Sequence, residues 1–138
     1  MKRAKAHIVP LSRAALSVLN RAAALKLAGS NFVFPGVSGG AMSDMTLLKV
    51  LRDAGEDFHV HGFRYSFTDW AANEGFPDAV VEAALAHKTP DAVQAAYRRT
   101  TYLGTSDKPG ERVRLMEVWG TYCTSAQCTE EVKVGKVI

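Results

Sequence analysis

The stretch His61-Gly62-Phe63-Arg64-Tyr65-Ser66-Phe67-Thr68-Asp69-Trp70-Ala71 decides how the rest of the chain is read. Phe63, Phe67 and Trp70 recur at helical spacing, which predicts a helix opening at Gly62 or Phe63 with its aromatics turned into a core. Arg64 stands beside Phe63, so its charge is expected at a cleft edge while the aromatic anchors the helix. Downstream, Pro77 and Asp78 favour a helix through Val80, Val81, Ala84 and Leu85. Pro90-Asp91 starts another that contains Val93, Ala96 and Tyr97, and Ser106 or Asp107 before Pro109 starts a last one. That last helix turns Val113, Met116 and Trp119 inward and extends to Tyr122.

Upstream, Ala6 to Pro10 has a short extended pattern, and Ser12 caps a helix expected from Arg13 to Ala28, which Gly29 ends with positive φ. Leu16, Leu19, Ala23 and Leu27 make an apolar stripe that reads as core. Asn31 to Phe34 is a short apolar segment, Gly36 to Ala41 a loop, and Ser43 caps a further helix stopped at Gly55. After Cys123 the spacing of Val132, Val134 and Val137 fits either a short edge strand or a mobile tail. The predicted fold is therefore mainly α with a small N-terminal β element.

Composition narrows the class. A chain of 138 residues, 47% apolar, buries one substantial core without disulfides or metals, and no apolar run approaches a membrane span. Cys123 and Cys128 lack the second cysteine pair or nearby histidines of a zinc set, so neither metal nor cofactor is expected. No signal-peptide core opens the chain, and the expected location is cytoplasmic. A net charge of +3 permits a polyanionic partner without naming one. Position says more, since Lys2, Arg3 and Lys5 form one basic patch and Lys88, Arg98 and Arg99 surround a histidine and a tyrosine.

His61, Arg64, His87 and Tyr97 together supply donors, a proton acceptor and a nucleophile for attack on a phosphodiester. A phenol is a poor nucleophile until it loses its proton, so attack needs phosphate oxygens held by cations and a route for that proton. Arg64 offers a planar fork of donors to phosphate, and His61 and His87 donate or exchange protons near neutral pH. Lys2 can protonate the departing alkoxide if the first strand reaches the cleft. Taken singly, each has an ordinary reading: His61 as a cap or surface group, His87 or Tyr97 as packing, Arg64 as half of a surface ion pair.

The ordered combination resembles the catalytic domain of the tyrosine recombinases, in particular the prophage integrase branch. The resemblance runs from about Lys2 to Tyr122 through Lys2 to Ser12, Phe34-Pro35-Gly36, Ser43-Asp44-Met45-Thr46, His61-Gly62-Phe63-Arg64, Asp69-Trp70-Ala71, Leu85-Ala86-His87-Lys88 and Ala95-Ala96-Tyr97-Arg98-Arg99. It implies that Tyr97 attacks a DNA phosphate to form a 3′-phosphotyrosyl bond and release a 5′-hydroxyl. Arg64 then matches the second phosphate-clamping arginine, His61 its histidine partner and His87 the later histidine on the scissile phosphate. Lys2, five residues before His7, matches the hairpin lysine that acts as general acid, with Lys5 a weaker substitute. The interval from His87 to Tyr97 is one residue longer than the commonest in the wider family, a feature of this branch.

One family element finds no match. The resemblance implies a further catalytic arginine well upstream of the hairpin lysine, and Arg3, Arg13 and Arg21 lie in the wrong segments for it. The chain is thus expected to be the C-terminal part of a recombinase catalytic domain over 1–122, incomplete at its N-terminus, with 123–138 a tail or subunit-docking segment. Implied partners are double-stranded DNA, at which the protein is nucleoid-associated, and a second recombinase subunit held through the C-terminal segment. An inactive DNA-binding or protein-interaction remnant is the alternative.

Overall fold

The computed structural model describes residues 6–87 and 101–125. Five helices are described: α1 (Arg13–Ala24), α2 (Thr46–Asp53), α3 (Gly62–Asn73), α4 (Asp78–Ala84) and α5 (Glu111–Thr124). The core is built where α3, α4 and α5 meet, from Phe67, Trp70, Ala71, Phe76, Val80, Val81 and Leu115. The helical spacing of Phe67, Trp70 and Ala71 turns one face of α3 inward. Trp119 stands edge-on to Phe67 and tilted against Trp70, with centroids 5.3 and 4.9 Å apart, and Tyr122 extends the ring cluster. Each fully buried aliphatic or aromatic side chain here contributes roughly 1.5–3 kcal/mol relative to exposure.

Local signals set the helix ends. Ser12 accepts at its Oγ from Ala15 N–H, as its position predicts, and the Glu117 carboxylate of α5 accepts from Arg13 N–H and Nε, both at 3.0 Å. Gly120 lets α1 lie this close, because a Cβ there would strike Ser12. Pro77 is the N-cap of α4 rather than a residue of its first turn. The last helix starts at Glu111, later than Ser106 or Asp107, since residues 101–110 wind into a loop closed by Gly110 N–H on Leu103 O at 2.9 Å. Helix α1 stops at Ala24 instead of Ala28, and Gly29, at φ 81°, turns the chain beyond it.

Three expectations need correction. No β-strand forms among the described residues, whose only strand-like pairings are the isolated bridges Pro35–Ala41 and Gly104–Pro109. A strand requires a laddered backbone neighbour. The segment expected to supply the N-terminal β element instead gives its Ile8 carbonyl to the Arg112 guanidinium and its His7 ring to the end of α4. Second, the α1 stripe is not core: no residue of α1 is buried, and Leu16 and Leu27 are exposed. Leu19 and Ala23 line a shallow apolar groove of about 360 Å³ with Phe32 and Val33. Third, Phe63 is 52% exposed although it shares the stripe of Phe67, and the buried core on α3 begins one turn later, at Phe67. Proposed segments at 1–5, 88–100 and 126–138, including the Pro90 helix and the valine tail, lie outside the described residues.

Candidate active site

The carboxyl end of α4 organises the site. The last carbonyls of a helix have no partner within it and carry its negative dipole end, so they collect donors and cations. Here Arg64 Nη2 donates to Leu85 O at 2.8 Å, and His7 Nε2 donates to Ala84 O at 3.1 Å. Two segments far apart in sequence thereby converge next to His87. Arg64 is half-buried, on the inward side of the first turn of α3, and among the described residues no acceptor meets its other N–H groups.

His87 is exposed and oriented by α4 itself. Its Nδ1–H donates to Glu82 Oε2 at 2.9 Å, and its backbone N–H donates to Glu82 O at 3.1 Å. With Nδ1 committed to the carboxylate, Nε2 is the nitrogen left to face a substrate. Ala86, just before it, adopts φ 55°, a left-handed conformation that a residue with a Cβ disfavours. This bend aims His87 away from the helix path and places Leu85 O under the Arg64 guanidinium.

His61 is the N-cap residue of α3, exposed, with its ring edge-on to Tyr65 at 5.8 Å. Its backbone carbonyl accepts from Arg64 N–H at 3.1 Å, and the two side chains lie three residues apart on one turn. The structure thus brings Arg64, His61 and the approach to His87 to one end of the α3–α4 pair. Lys2 and Tyr97 lie outside the described residues, as do Lys88, Arg98 and Arg99. Among the described residues no cluster of histidine, cysteine, aspartate and glutamate could hold a metal ion, and no helix is long and apolar enough to cross a membrane.

The phage integrase family profile matches residues 1–103, three quarters of the chain. The chain belongs to the phage integrase family of tyrosine recombinases. Among its relatives, the chain is 34% identical over 130 residues to the prophage integrase IntA of Escherichia coli, covering 91% of this chain and 30% of that protein. It is 33% identical to the integrase of Enterobacteria phage P4, covering 88% and 28%, and 28% identical to that of Shigella phage Sf6, covering 88% and 31%. It therefore spans about a third of the length of these relatives. No solved structure matches it significantly.

Three residues that tie the candidate site and its flanks together escaped the sequence reading. Glu82 holds His87, His7 ties the N-terminal segment to α4, and Arg112 holds Ile8 and Thr101. Glu82 carried a signal, since a carboxylate five residues before a histidine at a helix end can reach back to its ring. Arg112 carried none, because a charge in the first turn of a helix ordinarily reads as solvent-facing.

Proposed function

We propose that this chain supplies the nucleophile-bearing end of a DNA strand transferase, acting as part of a longer recombinase. Residues 1–122 form the C-terminal part of its catalytic domain, and 123–138 dock on a second recombinase subunit. The observation that supports the reading most directly is the convergence of Arg64 and His87 at the end of α4, where Arg64 Nη2 holds Leu85 O and Glu82 holds His87 Nδ1, so that His87 Nε2 and the other Arg64 N–H groups have no partner among the described residues.

In this reading a DNA phosphate sits against Arg64, His61 and His87, whose donors take its non-bridging oxygens and stabilise the charge of the pentavalent state. Tyr97 Oη attacks phosphorus and its phenolic proton leaves to a neighbouring imidazole. A 3′-phosphotyrosyl ester forms as the bond to the 5′-oxygen breaks. Lys2 protonates that oxygen, giving a free 5′-hydroxyl. A 5′-hydroxyl from another strand reverses the sequence and frees Tyr97. The bond from His7 to Ala84 O supports the part given to Lys2, because it carries the N-terminal segment to the same helix end.

The test joins the chain to the upstream segment of a matching relative and incubates it with a nicked suicide substrate. Mass spectrometry of the trapped peptide should find DNA on Tyr97, and Tyr97→Phe should abolish trapping while leaving the fold intact. An adduct on Tyr65, Tyr102 or Tyr122 refutes the assignment. Absence of any adduct in a folded, DNA-bound protein favours the inactive remnant. The chain alone should bind duplex DNA weakly, with affinity falling steeply as salt rises.

A further inference from the structure

Among the described residues, the two non-glycine residues with left-handed backbone are Ala86 and Tyr102, both at φ 55°. In sequence they bracket 87–101, the stretch that carries His87 and Tyr97. Such conformations crowd Cβ against the backbone and persist only where the surroundings impose them. At each bracket an arginine guanidinium grips the carbonyl one residue earlier. Arg64 Nη2 holds Leu85 O at 2.8 Å, and Arg112 Nη1 holds Thr101 O at 3.1 Å. Arg112 goes further, since its backbone N–H donates to Tyr102 O at 2.9 Å and its Nη2 to Ile8 O at 2.6 Å, 104 residues away.

Stability alone accounts poorly for an arginine at this place. The residue is 4% exposed, its Nε meets no acceptor, and no carboxylate pairs with it among the described residues. It stands in the first turn of α5, where the helix dipole disfavours a cation. Burial pushes its pKa down from the ordinary arginine value, as expected of a cation compensated by neutral carbonyls only. What the buried guanidinium does supply is geometry, since its fork fixes two carbonyls from separate parts of the chain. The loop it enters is closely wound: a Cβ on Gly104 would strike Lys108 O, and one on Gly110 would strike Tyr102 O, so the two limbs of 101–110 lie backbone against backbone.

We propose that Arg112 is a positioning residue, whose guanidinium locks the chain at Ile8 to the chain at Thr101. The segment that follows Lys2 and the end of the segment that bears Tyr97 are thereby held in one fixed relation. The purpose of the lock rests on the recombinase reading above, whereas the lock itself is a property of this chain.

The test has two arms. In the chain itself, with Cys123 and Cys128 changed to serine, spin labels at Val9→Cys and Ser106→Cys should give one narrow distance distribution. Arg112→Met should broaden it while the near-ultraviolet dichroism of the Trp70–Trp119 cluster is kept. If that variant fails to fold, Arg112→Lys is read instead, since a point donor in place of a fork leaves one of the two carbonyls without its partner. A distribution as narrow as the parent's in a folded variant overturns the proposal. In the fused recombinase, Arg112→Lys should slow first-order trapping on saturating suicide substrate by about 10²-fold, the order expected for a misplacement near 1 Å, with DNA affinity unchanged. Equal rates per folded molecule overturn the positioning role. A parent that traps nothing removes the recombinase reading, and the distance arm still decides the lock.

Discussion

Replacing Arg64 by alanine should separate two effects that one side chain combines. The first is structural. Its Nη2 makes a charge-assisted bond of 2.8 Å to Leu85 O, at the point where the chain bends through Ala86. Bonds to charged donors contribute about 1.5–3 kcal/mol, and the half exposure of Arg64 moves the expectation to the lower end, about 1–2 kcal/mol. With a urea slope of about 2 kcal/mol/M for a domain of this size, the unfolding midpoint should fall by about 0.5–1 M at unchanged slope. The second effect is chemical. Removing one donor from a developing phosphorane should slow covalent trapping by about 10²–10³-fold in the fused recombinase. The magnitudes keep the effects apart: if about 3 kcal/mol of stability remains, more than about 99% of molecules stay folded, so unfolding cannot supply a hundredfold loss. Urea titration by tryptophan fluorescence reads the first effect and single-turnover trapping the second. An unchanged midpoint would refute the structural bond, and an unchanged trapping rate in a folded variant would remove Arg64 from the phosphate clamp.

Other perturbations follow from the same geometry. Gly120→Ala should lose about 1–3 kcal/mol on chemical denaturation despite the better helix propensity of alanine, because the added Cβ strikes Ser12 at the α1–α5 contact; a stabilised variant would show that α1 does not dock there. Leu115→Ala, at a side chain with no exposure, should cost about 2–5 kcal/mol, and a loss under about 1 kcal/mol would place it outside the core. Glu82→Gln should release the His87 ring from its single orientation, seen as averaged His87 ring resonances in NMR spectra, while spectra like the parent's would deny the carboxylate its role. Ala86→Gly should gain about 0.5–1 kcal/mol, since relief of the left-handed strain exceeds the added entropy of the unfolded chain; a loss would mean that Ala86 is not strained.

The sequence revealed what is governed locally. Ser12, the aromatic stripe of α3 and the Pro77-Asp78 start each act over one or two turns, and the structure places helices at all three. It misjudged what depends on a neighbour. The stripe of α1 has the period of a buried face, yet among the described residues only α5 packs on α1, and the contact runs through Ser12, Arg13 and Gly120 rather than the leucines. Residues 6–10 have the composition of a strand, but pairing is a property of two segments, and here Arg112 takes the Ile8 carbonyl that a ladder would use. The site divides along the same line. Residue types suited to phosphate chemistry were legible at His61, Arg64 and His87; Glu82 left only the trace of a carboxylate five residues before His87, and His7 and Arg112 left none, because they act on backbone carbonyls distant in sequence or across a loop.

That division bears on how the chemistry is held. Phosphoryl transfer to a tyrosine demands that nucleophile, clamp and acid meet within a fraction of an ångström, since misplacement near 1 Å costs about 10²-fold in rate. Here the proposed clamp, Arg64, stands on a helix, whereas the nucleophile and acid assigned by the recombinase reading, Tyr97 and Lys2, lie outside the described residues, and the structure describes the chain that flanks them. Those flanks are where the polar ties gather: Arg64 at Leu85, His7 at Ala84, and Arg112 at both Ile8 and Thr101. Each ends on a backbone carbonyl rather than on another side chain. A tie to the main chain fixes where the chain runs, whatever side chains it carries, so precision at the site is set by how the flanking backbone is anchored as much as by the reacting groups themselves.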